Sequence, residues 1–290
     1  MILVTGAAGK TGQAVVQALA AREARVRAFV HRPEQVEPLQ RLGATEVVVG
    51  DMRDLPRVRE AMQDVRAVYH ICPNMHPEEV TIGEIALQAA REMGVDHFVY
   101  HSVLHPQTEK MPHHWNKLRV EERIFESGLP FTILQPAAYM QNLRGYWRTI
   151  VEEGVYRVPY APSTLLGLVD LRDVAEVAAT VLTETGHSGA TYELCGPDVL
   201  TQEQVGVILT RVLKRPVRVE RLPLDVWEMG ARQAGLSEYA IDTLKRMFVY
   251  YERYGFWGNA NVLRWLLGRA PTRFEMFVRE LAEAEAPDTP

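Results

Sequence analysis

The sequence predicts an α/β fold: a doubly wound parallel Rossmann sheet with a smaller, mainly helical substrate lobe. Three observations predict it. Short apolar runs alternate with amphipathic helical stretches through the first half of the chain. Those runs are nearly continuous in Val, Ile, Leu and Phe, as strands covered on both faces must be. The first run, Ile2–Thr5, leads at once into a turn with glycines at Gly6, Gly9 and Gly12, and then into a helical pattern.

The elements follow in order. Ile2–Thr5 reads as a strand and Thr11–Ala21 as a helix. Further strands are expected at Arg25–Val30, Glu46–Val49, Ala67–Ile71, His97–Tyr100 and Phe131–Leu134. Between them the spacing predicts helices over Pro33–Leu42, Leu55–Met62, Pro77–Met93 and Lys117–Ser127. The rhythm changes after Pro136. Tyr139–Glu153 reads as a helix, Gly154–Thr164 as irregular, Gly167–Val169 as a strand and Asp173–Thr183 as a helix. A strand at Thr191–Leu194, a helix at Gln202–Leu213 and a strand at Val217–Arg221 follow. From Leu224 the pattern is helical and rich in aromatics, and the acidic tail Ala282–Pro290 is expected to fray. The expected organisation is a dinucleotide-binding domain over 1–136, to which 167–184 returns. Residues 137–166 and 185–290 make the substrate lobe.

Composition narrows the class. The chain has 290 residues and a net charge of -5, which gives no basic field for nucleic acid or an anionic membrane. Its two cysteines, Cys72 and Cys195, form neither a disulfide framework nor a zinc spacing, and they fit a reducing cytosol. No apolar run reaches the ~18 residues of a membrane span. The chain opens directly on a strand, so neither a signal peptide nor an address outside the cytoplasm is expected.

The loop Thr5-Gly6-Ala7-Ala8-Gly9-Lys10-Thr11-Gly12 carries the first chemistry. Glycine lets a backbone turn tightly and approach a pyrophosphate, and the following helix offers N–H groups and its positive dipole end. Gly9-Lys10-Thr11 also resembles the end of a P-loop, but that motif needs glycine where Val4 stands. An ordinary strand–helix turn is the plainer alternative, and it does not need three regularly spaced glycines. The cofactor-binding set read here is Gly6, Ala8, Gly9, Lys10, Thr11 and Gly12, joined by His31 and Arg32 after the second strand. NAD readers usually place an acid at that strand end; Arg32 suits the 2′-phosphate of NADP(H) instead, with Lys10 as a second candidate. The plainer alternative for Arg32 is a solvated surface cation.

These features resemble the NmrA-like group of atypical short-chain dehydrogenases. The likeness rests on the glycine loop, Arg32 and the Gly50-Asp51-Met52-Arg53-Asp54 turn. It continues in Ser127–Pro136 (SGLPFTILQP), Val169–Ala175 (VDLRDVA) and Tyr192–Pro197 (YELCGP), and it stops near Arg221. The resemblance implies that Asp51 and Met52 meet the adenine. It places Ile71, Cys72 and Pro73 beneath the nicotinamide ribose, and Pro136, Ala137 and Tyr139 around the nicotinamide. A helix cap is the alternative for Asp51, and a small buried hydrophobe for Cys72.

The resemblance also implies a catalytic Ser and a Tyr-x-x-x-Lys. Ser102 ends the fifth strand where the Ser belongs, and Lys117 stands where the Lys belongs, as a ligand of the cofactor ribose, with an exposed first-turn lysine the alternative. Four residues before it stands His113 in place of the tyrosine, with His114 and His101 close in sequence. His113 is either a proton donor or part of a polar loop; a metal cluster of these histidines lacks supporting spacing. Quinones and azo or triarylmethane dyes accept hydride directly, which suits a chain without the tyrosine. Tyr139, Trp147, Tyr250, Tyr254 and Trp257 are candidates for an apolar pocket, with core packing the alternative for each. Two functions are carried forward. One is an NADPH-dependent reductase of a conjugated small molecule; the other is an NADP(H) sensor that binds a protein partner. A homo-oligomer is compatible with both, and the missing tyrosine weakens a sugar-nucleotide epimerase.

Overall fold

Leu3 and Val4 are fully buried at the centre of a seven-stranded sheet, which is where an uninterrupted apolar run has to go. The computed structural model describes residues 1–285. They divide into two units: Met1–Pro136 with Arg172–Glu193, and Ala137–Leu171 with the chain from Leu194 onward.

The first unit runs β1 (Ile2–Val4), α1 (Lys10–Ala20), β2 (Val26–Val30), a 3-10 turn at Pro33–Gln35 and α2 (Val36–Arg41). Next come β3 (Glu46–Val49), α3 (Leu55–Ala61), β4 (Ala67–His70), α4 (Glu79–Glu92), β5 (His97–His101), α5 (Pro112–Glu126) and β6 (Phe131–Pro136). The chain then passes through β7 (Ala138–Tyr139), a 3-10 stretch at Met140–Tyr146, α6 (Trp147–Glu153), β8 (Val155–Val158) and β9 (Leu165–Val169). With α7 (Leu171–Thr183) and β10 (Ala190–Leu194) it returns to the first sheet. The rest is β11 (Asp198–Thr201), α8 (Gln202–Leu213), β12 (Arg218–Arg221), α9 (Leu224–Gln233), α10 (Glu238–Tyr254), α11 (Asn261–Leu267) and α12 (Phe274–Ala284).

The large sheet has the order β10-β6-β5-β4-β1-β2-β3. The pairings among β1 to β6 are all parallel, with Val4 opposite Ala28 on one side and Tyr69 on the other. Parallel strands bring every carboxyl end to one edge. The order reverses direction between β1 and β4, which is the switch point where ligands of such sheets bind. Val68, Phe98, Ile133 and the inner faces of α3, α4 and α5 fill one side of the sheet. Each fully buried aliphatic or aromatic side chain there contributes roughly 1.5–3 kcal/mol of transfer free energy.

Several element boundaries differ from the sequence reading. The segment Pro33–Leu42 is a 3-10 turn and then a short helix, because Pro33 and Pro38 both withhold an N–H. The helix expected from Lys117 begins at Pro112, a residue suited to the first helical position. His113 and His114 are therefore helical and not part of a loop. The single helix expected at Tyr139–Glu153 is broken. Ala138 and Tyr139 pair with β9, and a 3-10 stretch precedes α6.

The irregular stretch Gly154–Thr164 contains β8, which pairs in parallel with β12, and β11, unforeseen in the sequence, pairs antiparallel with β9. Of the tail expected to fray, Ala282–Ala284 belongs to α12, and 286–290 lie outside the described residues. No helix among the described residues is long and apolar enough to cross a membrane.

Candidate functional site

The glycine turn leaves β1 at the carboxyl edge of the sheet. Gly6 adopts φ +57, and a Cβ there would stand 2.8 Å from the Ile71 carbonyl oxygen. A Cβ on Gly12 would stand 2.5 Å from Ala7 Cα and closer still to the Gly6 carbonyl oxygen, so only glycine lets α1 begin so near the turn. Gln13 Nε2 donates to Ala8 O at 2.8 Å and fixes the loop between them. Gly9 is the N-cap of α1; no side chain caps the helix, and its first turn holds no acid. The result is a cradle of small residues ending on an uncapped helix N-terminus with Lys10 and Thr11 in its first turn. The residues present fit a pyrophosphate.

Arg32 and His31 follow β2, next to the cradle along the edge, and both are exposed. Their backbone N–H groups both donate to Gln35 Oε1, at 3.1 and 3.0 Å, which fixes the turn and leaves the arginine side chain outward. The guanidinium pairs with Glu34 at 3.2 Å. Asp51 and Met52 follow β3. The Asp51 carboxylate accepts from the N–H, Nε and Nη2 of Arg53, and hydrogen bonding to Arg53 draws its pKa down to about 2. Arg53 also reaches Glu78 at 3.2 Å. The cap of α3 is Asp54, whose side chain accepts from Arg57 N, so the capping alternative for Asp51 falls to its neighbour.

Ile71, Cys72 and Pro73 follow β4 across the switch point. Cys72 is buried, and burial pushes its thiol up, as expected of a small hydrophobe and not of a reactive thiolate. Lys117, on the second turn of α5, donates to Glu79 Oε1 at 2.9 Å and to the His101 carbonyl at 3.2 Å. Tyr100 also donates to Glu79 Oε1, at 2.9 Å. Ser102 follows β5, and its hydroxyl donates to Glu121, a buried carboxyl that also accepts from Gln135 Nε2 at 2.9 and 3.0 Å. Burial pushes the Glu121 carboxyl up.

His113 lies one helical turn before Lys117 on α5. It is buried, its ring packs edge-on to His114 at 4.4 Å, and its Nδ1 is buried without a hydrogen-bond partner. Burial, then His114 and Lys117, draw its pKa down to about 2; burial takes His101 to about 3 and His114 to about 4. All three are neutral imidazoles at neutral pH. Among the described residues no three His, Cys, Asp or Glu side chains gather as a metal site.

The structure therefore sorts the candidates along one edge. The cradle, His31, Arg32, Asp51 and Met52 stand over β1, β2 and β3, while Ile71, Cys72, Pro73, Ser102, His113 and Lys117 stand over β4, β5 and α5. Pro136 ends β6 in the same unit. Ala137 and Tyr139 begin the second unit, where Ala137 N donates to Leu194 O at 3.0 Å and Tyr139 pairs with Val169. In that unit Trp147 is buried, whereas Tyr254 and Trp257 are half exposed. Glu79, Glu121 and Arg53 were not singled out from the sequence. Each reads there as an ordinary charged helix or turn residue, and only tertiary burial or pairing distinguishes it.

The NmrA-like family model matches residues 1–275. A (4-alkanoyl-5-oxo-2,5-dihydrofuran-3-yl)methyl phosphate reductase of Streptomyces griseus is 33% identical over 294 residues, covering 99% of this chain and 100% of that protein. An NADPH-dependent quinone oxidoreductase of Escherichia coli, solved with NADPH, superposes with a TM-score of 0.84 at 26% identity, covering 97% of this chain and 99% of that one. Citrobacter sp. triphenylmethane reductase, solved with NADP(H), gives a TM-score of 0.84 at 25% identity over 97% of this chain and 99% of that one.

Proposed function

The chain belongs to the NmrA-like family, and from that premise we propose that it is an NADPH-dependent reductase of a conjugated small-molecule electrophile. One observation carries the cofactor reading: the glycine cradle ends on an uncapped helix N-terminus beside an arginine, with no acid on the preceding strand end. Gly6, Ala8, Gly9, Lys10, Thr11 and Gly12 hold the pyrophosphate, and Arg32 with His31 holds the 2′-phosphate. Asp51 and Met52 flank the adenine. Ile71 to Pro73 and Lys117 hold the nicotinamide ribose, with Pro136 beside the ring. NADPH, when bound, supplies the hydride.

The substrate class follows from what the chain's residues do at the other end. His113 is a neutral imidazole in place of a phenol, and Ser102 has its single hydroxyl proton committed to Glu121. Neither is an effective proton donor at neutral pH. The protein binds, orients and excludes water, and the substrate must accept hydride at a conjugated carbon without a protein acid. The relatives' names fit that chemistry: an unsaturated lactone phosphate, a quinone and a triphenylmethane dye.

The test is NADPH oxidation, followed by absorbance, against quinones, unsaturated lactones and dyes beside simple ketones. Saturable turnover confined to the conjugated acceptors is expected. Tight NADPH binding with no turnover on any of them overturns the reductase and favours the second reading, an NADP(H) sensor acting on a protein partner. The same neutral His113 accommodates that reading. A protein partner, a homo-oligomer and a place in the cytoplasm belong to this proposal and are read out by size-exclusion and localisation measurements.

A further inference from the structure

We propose that Glu79 is a positioning residue for the cofactor: it anchors the Lys117 ammonium at the carboxyl end of β5, leaving one N–H for the ribose on the nicotinamide side. This rests on the NADPH reading above. Glu79 opens α4 and is 2% exposed, an unusual place for an acid with no local partner in sequence. Its burial is compensated from two elements, since Oε1 accepts from Lys117 Nζ on α5 and from the Tyr100 hydroxyl on β5, both at 2.9 Å. The N-terminus of α4 adds a favourable dipole.

The geometry of the ammonium follows. Lys117 has three N–H donors. One goes to Glu79 and one to the His101 carbonyl at 3.2 Å, while the Tyr100 ring lies 5.3 Å from the nitrogen. Among the described residues the remaining donor meets no oxygen or nitrogen acceptor. Two fixed acceptors on two elements, α4 and β5, hold a long flexible side chain in one rotamer and so lower the ordering cost of binding. A buried ion pair of this kind contributes little net stability over apolar packing, but it fixes one arrangement. Its place in the sheet sets which half of the ligand it serves. Lys117 and Glu79 stand on the β4–β5 side, and Arg32 stands beyond β1 on the β2 side.

The experiment titrates cofactor-free protein by calorimetry with two ligands, NADPH and adenosine 2′,5′-bisphosphate, which lacks the nicotinamide riboside. Glu79→Ala is expected to weaken NADPH roughly tenfold, and Glu79→Gln, which keeps an acceptor but not the charge, roughly threefold. Binding of the bisphosphate stays unchanged in both. In a Lys117→Met background Glu79→Gln causes no further loss. If Glu79→Ala fails to fold, the isosteric Glu79→Gln carries the comparison.

Equal weakening of both ligands marks a merely structural acid and overturns the proposal. So does unaltered NADPH affinity in the glutamine variant, or an undiminished loss in the Lys117→Met background. An unmutated protein that binds neither ligand overturns the NADPH reading itself.

Discussion

The proposed preference for NADPH turns on Arg32. Its guanidinium is 62% exposed and meets one carboxylate, Glu34, which is itself 64% exposed. An exposed pair of this kind contributes ~0–1 kcal/mol, so it does not compete seriously with a phosphate dianion. Arg32→Ala is expected to raise the Kd for NADPH about ten- to a hundredfold, the equivalent of one charged hydrogen-bonded pair. It should leave NADH affinity and the thermal midpoint nearly unchanged. Titration of the variant with both cofactors checks this, and an equal loss for both would move the 2′-phosphate contact elsewhere. Asp51 shows the complementary case. The acid was visible in the sequence, but its tie to Arg53 was not, because a turn that curls Arg53 back onto its neighbour is a matter of backbone geometry. The pair leaves this end of the site without a free acid to repel the phosphate. Arg53→Ala restores that acid and should weaken NADPH more than NADH in the same titration.

Among the elements, the β1–α1 turn combines tight backbone packing with the clearest sequence signal. Gly12→Ala puts a methyl group against Ala7 Cα and the Gly6 carbonyl, both backbone atoms that cannot swing away. Either α1 moves off the sheet or the turn opens, so stability should fall by about 1–3 kcal/mol and NADPH binding should fall with it. Denaturant melts and cofactor titration of one preparation check both halves; a variant of normal affinity would mean the cradle is not where the pyrophosphate sits. That turn was legible because everything it needs is local: an apolar strand, glycines at a spacing of three and a helix start. The start of α5 was less legible. The helical period is clear only after Lys117, and the first turn is occupied by Pro112, His113 and His114, which read as a loop. β8 and β11 were not legible at all as strands. Each exists by pairing with a partner distant in sequence, β12 and β9 respectively, which is a tertiary cause. The same holds for Glu79 and Glu121: a glutamate on a helix looks solvated until the fold puts a sheet over it.

Across the whole molecule, the histidines that fill the positions near α5 and β5 set the acid limit of stability. His70, His101, His113 and His114 are all buried, and burial draws them down to about 3, 3, 2 and 4 respectively. The unfolded chain takes a proton on each near the ordinary value of 6.5, whereas the folded chain does not until much lower pH. Between about pH 6.5 and 4 the unfolded state therefore binds more protons, and stability falls as pH falls. The contribution is fully present above about pH 6.5 and is lost towards the folded values. Asp51 works in the same direction at lower pH, since its depressed pKa adds stability that is present above 3.8 and disappears towards about 2. Glu121 has the opposite sign. Its raised pKa favours the folded state at low pH and costs stability as pH rises through the folded value, but it is one group against five, since burial also lowers half-buried His97. Each histidine should cost about 1–2 kcal/mol between pH 6.5 and 5, so that together they consume a large share of the ~5–15 kcal/mol typical of a folded chain. The thermal midpoint is accordingly expected to drop steeply from pH 7 to pH 5. His113→Gln, which removes the imidazole whose Nδ1 has no partner, should flatten that slope by about a fifth, one histidine of the five that burial lowers. A midpoint that stays level from pH 7 to pH 5 would mean that these imidazoles are hydrated or charged in the folded protein. That result would return His113 to the role of proton donor and remove the physical reason for restricting the substrate to electrophiles that need none.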